Sequence, residues 1–155
     1  MQDKVNTERK LQHFFSEIES LAIIDLNINY LKETITLKLM GDRNRNLINI
    51  TFKQVLSYYV FQEPAYDTFR LNEFDEESHL LLSESSYFPQ GFGKIMIESL
   101  HSELKAIETL SSTTNFYFQV NDKDYFFIEA NALIINEEEY KNLIIDDSEL
   151  KIPVD

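Results

Sequence analysis

The chain has 155 residues, no cysteine, 43% hydrophobic residues and a formal net charge of −13. That length suits one core, and the apolar content is too high for a disordered chain. The missing cysteine excludes disulfides, thiolate zinc sites and cysteine nucleophiles, while the negative charge argues against a phosphate-backbone partner.

In chain order, Thr7 is placed to cap a helix running to about Ser20. Leu11, Phe14, Phe15, Ile18 and Leu21 recur on one face of it at helical spacing. Apolar and polar residues then alternate in Ile24-Asp25-Leu26-Asn27-Ile28-Asn29-Tyr30, the pattern of a strand with one wet face. Leu31-Lys32-Glu33 turns the chain, and Ile35, Leu37 and Leu39 alternate with Thr34, Thr36 and Lys38. After the loop Gly41 to Asn46, Ile48, Ile50 and Phe52 resume the alternation, which predicts three strands in meander order.

The next stretch satisfies two patterns. Phe52, Val55, Leu56, Tyr59 and Val60 fit a helical stripe, whereas Val55, Ser57, Tyr59 and Phe61 fit a strand. Pro64 stops either one. The reading adopted is a short helical turn leading into an extended Tyr58 to Gln62. A short strand is expected around Phe69 and Leu71, another over His79 to Ser83, and a loop over Ser85 to Gly93. Ile97, Leu100, Leu104, Ile107 and Leu110 predict a second amphipathic helix over 95–110. Phe116 to Val120 and Tyr125 to Ala130 form a hairpin across Asn121-Asp122-Lys123-Asp124. Asn136 with Glu139 three residues on resembles a capping pair, so a short final helix over Glu137 to Leu143 is expected. The expected architecture is one α+β domain over 1–155: an antiparallel sheet of about five to seven strands carrying two main amphipathic helices.

The amino terminus lacks the basic and apolar regions of a signal peptide. No apolar run approaches the ~18 residues of a membrane span. A cytoplasmic protein, not bound to membrane, is expected.

Charge is segregated. Residues 63–90 carry seven acids and only Arg70; residues 121–155 carry ten acids and three lysines. Two readings compete: a solubility coat, or an acidic face for a basic protein partner, centred on Glu73, Asp75, Glu76 and Glu77.

Candidate chemistry is thin. Gln90-Gly91-Phe92-Gly93-Lys94 invites comparison with a phosphate loop, but Phe88 and Ile95 stand where that motif requires Gly and Ser or Thr. His13, His79 and His101 share no three- or four-residue spacing, so no helical metal pair forms. Asp75-Glu76-Glu77 lacks the alternating oxygen ligands and turn glycine of a calcium loop. Six rings lie in one hairpin: Phe116, Tyr117, Phe118, Tyr125, Phe126 and Phe127. Asp122, Asp124 and Glu129 outnumber Lys123 there, which favours a core face and a protein-contact face over base stacking. No cofactor, metal or catalytic residue is assigned.

The order of amphipathic helix, Ile24 to Phe52 meander and late Phe116 to Ala130 hairpin resembles small acidic immunity proteins of bacterial toxin systems. That resemblance implies a stoichiometric inhibitor that covers a toxin's active or binding surface. It transfers no functional residue. A general interaction or regulatory module, and an enzyme using carboxylates and His79, remain the alternatives.

Overall fold

The computed structural model describes residues 2–41, 46–62, 80–92 and 114–145. Among them are one helix, α1 (Gln2–Glu17), and seven strands. The strands are β1 (Ala22–Asn29), β2 (Thr34–Met40), β3 (Leu47–Phe61), β4 (Leu80–Tyr87), β5 (Phe116–Val120), β6 (Asp124–Ile135) and β7 (Glu138–Tyr140).

The expected meander is present: β1 pairs antiparallel with β2, and β2 with β3. In β2 the alternation holds strictly, with Ile35, Leu37 and Leu39 all buried. The sheet order is β3-β2-β1-β4-β5-β6-β7, and β3 also pairs with β6 from Ile50–Ile135 to Phe61–Tyr125. That second pairing closes six strands into an antiparallel barrel and leaves β7 outside it, on β6.

The α+β expectation is therefore corrected. The fold is mostly β, and the sheet buries its apolar face by curling onto itself instead of beneath a layer of two helices. The predicted 95–110 helix lies outside the described residues. β3 is one continuous strand of 15 residues, where a helical turn was expected before Tyr58. Its ladder with β6 overrides the helical stripe. β4 likewise runs on to Tyr87, through Ser85, where loop composition was expected. The final helix is absent: Asn136 takes a left-handed φ of 56° and turns β6 into β7. Its side chain accepts from the Asn49 amide at 3.0 Å and its amide donates to the Asn49 carbonyl at 2.7 Å. Those cross-strand bonds take the place of a helix cap.

Bulges provide the curvature. Register shifts occur at Ile23/Asp25 in β1, Val55/Ser57 in β3 and Leu82/Glu84 in β4. The first of them splits the predicted Ile24-Leu26-Ile28 face: Ile23 is buried and Ile24 exposed.

The interior is aromatic. Phe52, Phe116 and Phe118 are fully buried, and Phe118 stacks on Phe126 with centroids 4.6 Å apart. Leu11 and Phe15 of α1 and Ile18 in the turn after it join this core, with Phe15 5.4 Å from Phe116 and 6.4 Å from Phe52. Thr7 does not cap the helix. It lies inside it and donates to the Asp3 carbonyl at 2.8 Å. The carboxyl end of α1 is fixed instead by β4. There the buried Ser85 hydroxyl donates to the Phe15 carbonyl, and the Ser20 amide, at a left-handed φ of 76°, donates to Leu82.

Candidate functional site

The hairpin that joins β1 to β2 and the distal half of β3 enclose an open groove of about 690 Å³. Its origin is a mismatch of strand lengths. β2 pairs with β3 only from Leu47 to Phe52, and the Val55 amide then donates to the Glu33 carbonyl at 3.0 Å. Beyond that bond β3 continues with β6 while the β1–β2 tip turns away. Gln54, at φ 49°, precedes the bulge that redirects the strand.

The groove carries large apolar side chains where a turn is normally polar, beside the polar Asn29, Glu33, Thr34 and Ser57. Leu31 is 90% exposed and Tyr30 75%; across from them Leu56 is 51% exposed, beside half-exposed Tyr58. Glu33 is the one charged residue among the described residues lining it. Farther along β3, Val60 and Phe61 are exposed too, and the chain then enters the acid-rich run that begins at Glu63. Tight-turn geometry fixes the tip: Glu33 has φ 54° and its amide donates to the Tyr30 carbonyl at 3.2 Å.

A second aromatic surface covers the outside of β3, β6 and β5. Tyr117 lies 5.0 Å from Phe127 and 6.5 Å from Tyr125, Phe61 lies 6.0 Å from Tyr125, and Phe92 meets Phe127 at 5.9 Å. The hairpin thus divides as its alternation predicts, with Phe116, Phe118 and Phe126 inward and Tyr117, Tyr125 and Phe127 outward. The polar edge of this surface is Gln119, which donates to Glu84 at 2.9 Å and also bonds the Tyr117 hydroxyl. Partial burial raises the Tyr117 pKa, so the ring remains a neutral hydrogen-bonding group.

The acidic turn of β7 is answered locally. Lys10 of α1 reaches Glu138 at 2.7 Å and sits 5.6 Å over the Tyr140 ring, while Lys53 of β3 reaches Glu139 at 3.4 Å. The Lys10 hydrogen bond holds the Glu138 carboxyl below its usual pKa, with Tyr140 adding to the effect. Lys123 and Asp124, also counted among the acidic segments, form a buried ion pair at 3.0 Å.

Glu73, Asp75, Glu76 and Glu77 lie outside the described residues, as do His79 and His101. His13 is exposed on α1 and pairs with Glu17 at 2.7 Å. Of the glycine-rich segment, Gly91 sits in a turn at φ 78°, its amide on the Phe88 carbonyl at 2.8 Å; Gly93 and Lys94 lie outside the described residues. Among the described residues no group of three or more His, Asp or Glu is placed to hold a metal ion. None of their helices is long and apolar enough to cross a membrane.

Sequence reasoning passed over Tyr30, Leu31 and Leu56. The available signal was two large apolar residues directly before a Lys-Glu turn, and an unbroken Tyr58-Tyr59-Val60-Phe61 run that makes both faces of a strand apolar. It also passed over two buried asparagines. Asn115 exchanges two hydrogen bonds with the Ala130 backbone, both at 3.0 Å, and so extends the β5–β6 ladder with a side chain. Asn131 accepts from the Ile144 and Ile145 amides at 2.8 Å each and donates to Gln54 at 2.8 Å.

A family model described as YxiG-like protein matches residues 11–140, and the chain belongs to the YxiG-like family. No curated protein and no solved structure gives a match.

Proposed function

We propose that this protein is a non-enzymatic binding domain whose partner is a basic protein, seated on the groove between the β1–β2 tip and distal β3. The supporting observation is the exposure of Leu31 and Tyr30 opposite Leu56 and Tyr58. Burying one such side chain is worth roughly 1.5–3 kcal/mol, and tyrosine is among the residues enriched at the energetic centres of interfaces. The basic character of the partner follows from the net charge of −13 and from the acid-rich run that continues directly from the end of β3. Apolar anchors then supply affinity, while Glu73, Asp75, Glu76 and Glu77 supply association rate and choice of partner. The narrower form of this reading is an immunity protein that inhibits a basic toxin by direct contact; size and acidity support it.

The test begins with affinity capture from the native host and proceeds with the purified captured protein. Leu31→Asp is expected to weaken binding by about tenfold or more. Changing Glu73, Asp75, Glu76 and Glu77 to Asn and Gln is expected to slow association and flatten its salt dependence. A partner that is acidic, or one that Leu31→Asp binds unchanged, refutes the proposal. Loss of a toxic activity of the partner at one equivalent supports the immunity form; full activity in the complex removes that form.

A further inference from the structure

β2 stops pairing with β3 at Phe52, and from Tyr58 to Phe61 the described strands bond β3 along one edge alone, that of β6. An edge left open in this way is a template for another strand, and natural proteins blunt it with lysine, proline, a bulge or a covering segment. Here the bulge comes earlier, at Val55/Ser57, and no charged residue, proline or glycine stands between Lys53 and Glu63. Both faces beside the edge are apolar. The register sets Tyr58 and Val60 opposite Ile128 and Phe126 on the core side, and Tyr59 and Phe61 opposite Phe127 and Tyr125 on the outer side. Tyr58, Val60 and Phe61 are nonetheless exposed.

Backbone groups along a strand edge are met by an extended chain, whose alternate side chains fall on the two faces of the sheet. The vacant place is the line of β2 continued back past Thr34, where the groove lies. A strand filling it runs antiparallel to β3 and finishes beside Glu33, whose carbonyl takes the Val55 amide. Apolar faces on both sides call for apolar residues throughout its middle. Charge selects its ends. Glu33 is the one charged residue among the described residues lining the groove, and the chain carries −13, so a second copy is repelled while a segment ending in Lys or Arg is drawn in.

We propose that distal β3 holds its partner by strand addition. A partner segment of about five apolar residues, with a basic residue at each end, pairs antiparallel with Tyr58 to Phe61 and sets its C-terminal base against Glu33. This rests on the groove being the seat of a basic protein, and it names the part of that protein which is held.

The full chain is offered an array of capped peptides Lys-X-X-X-X-X-Arg, with X drawn from Val, Ile, Thr, Tyr and Phe, and the same array with Glu at both ends. The best binder is then made with backbone N-methyl groups on alternate residues, in each of the two phases, so that each version loses the amide donors along one edge. Binding tighter than about 1 mM is expected, at least about tenfold weaker with Glu ends. Hydrogen exchange should slow at alternate amides between Tyr58 and Phe61. One N-methyl phase should cost about tenfold or more while the other is tolerated, because an added strand bonds along one edge only. Equal binding of the two phases, a preference for Glu ends, or no peptide tighter than about 1 mM overturns strand addition. A dimer of the chain alone with those amides protected also overturns it, since the occupant is then a second copy. Leu31→Asp, measured on the captured partner, judges the groove by itself, so the failure of one reading is told apart from the failure of the other.

Discussion

Phe116 is the side chain on which the helix and the barrel wall converge. Its ring is fully buried, with centroids 5.4 Å from Phe15 of α1, 5.1 Å from Phe52 of β3 and 4.9 Å from Tyr87 of β4. Replacing it with Ala removes the ring's transfer free energy and leaves a void, together costing about 3–5 kcal/mol. The void's walls are three rings carried by separate elements, each fixed by its own hydrogen-bonded ladder or helix. Collapse is hindered, so the expected loss lies in the upper half, about 4–5 kcal/mol. For a chain of this size each kcal/mol lowers the melting temperature by about 2–4 °C, so a fall of about 8–20 °C is expected. Urea unfolding followed by circular dichroism measures the change, since there is no tryptophan to report it. Phe116→Leu keeps most of the volume and loses the ring contacts, and is expected to cost about 1–2 kcal/mol. In a double-mutant cycle with Phe15→Ala, the coupling should be about 0.5–1.5 kcal/mol. A loss below about 1 kcal/mol for Phe116→Ala, or no coupling to Phe15, would refute the view that this ring cluster joins α1 to the barrel.

Asn131→Ala strips two amides of their acceptor and should cost about 2–4 kcal/mol, with hydrogen exchange at Ile144 and Ile145 accelerating most. Glu138 has a lowered pKa in the fold, so its contribution is present above the unfolded value of 4.5 and is lost as pH falls through the folded value; Glu138→Gln should flatten the acid limb of the stability curve there. Tyr87 is raised from 10.0 to about 12, so its contribution is complete below pH 10 and disappears as pH climbs towards 12. Alkaline unfolding of Tyr87→Phe should accordingly be less steep than that of the parent across this window. Asp122 holds a φ of 53° in the β5–β6 turn; Asp122→Gly is expected to stabilise by about 0.5 kcal/mol in the same urea assay, and a destabilised variant would show that its side chain matters more than its backbone.

Legibility in the sequence tracked how local the determining interactions are. The β1–β2–β3 meander was readable because each strand pairs with its sequence neighbour and β2 alternates without interruption. The β5–β6 hairpin was readable for the same reason, its Asn121-Asp122 turn announcing itself in composition. Barrel closure was not. It depends on pairing Ile50–Phe61 with Tyr125–Ile135, segments more than sixty residues apart, and no local pattern encodes such a ladder. The final helix failed because Asn136 suits a left-handed turn as well as a helix cap, and the distant Asn49 decides between them. The groove was invisible because Leu31 and Leu56 meet only through β1, β2 and β3 together. Residues expected to matter by charge alone, Glu73 to Glu77, fall outside the described part of the chain.

Closure also changes what the exposed apolar residues signify. On an open sheet, Tyr58 and Val60 would be ordinary members of a face awaiting a helix. In the barrel, β1 and β2 have 8 and 7 residues while β3 and β6 have 15 and 12. Strands so unequal cannot all end at one rim: β3 runs on past the end of its pairing with β2, held on its other side by β6, which β5 pairs in turn. An extension of alternating polar residues would be soluble without a partner, yet β3 keeps Leu56, Tyr58, Val60 and Phe61 there. The Val55–Glu33 hydrogen bond marks where β3 parts from the β1–β2 hairpin, and Leu56, Tyr58, Val60 and Phe61 beyond it are exposed. Their apolar character therefore calls for a separate cause, and burial against a partner is a cause with enough free energy behind it.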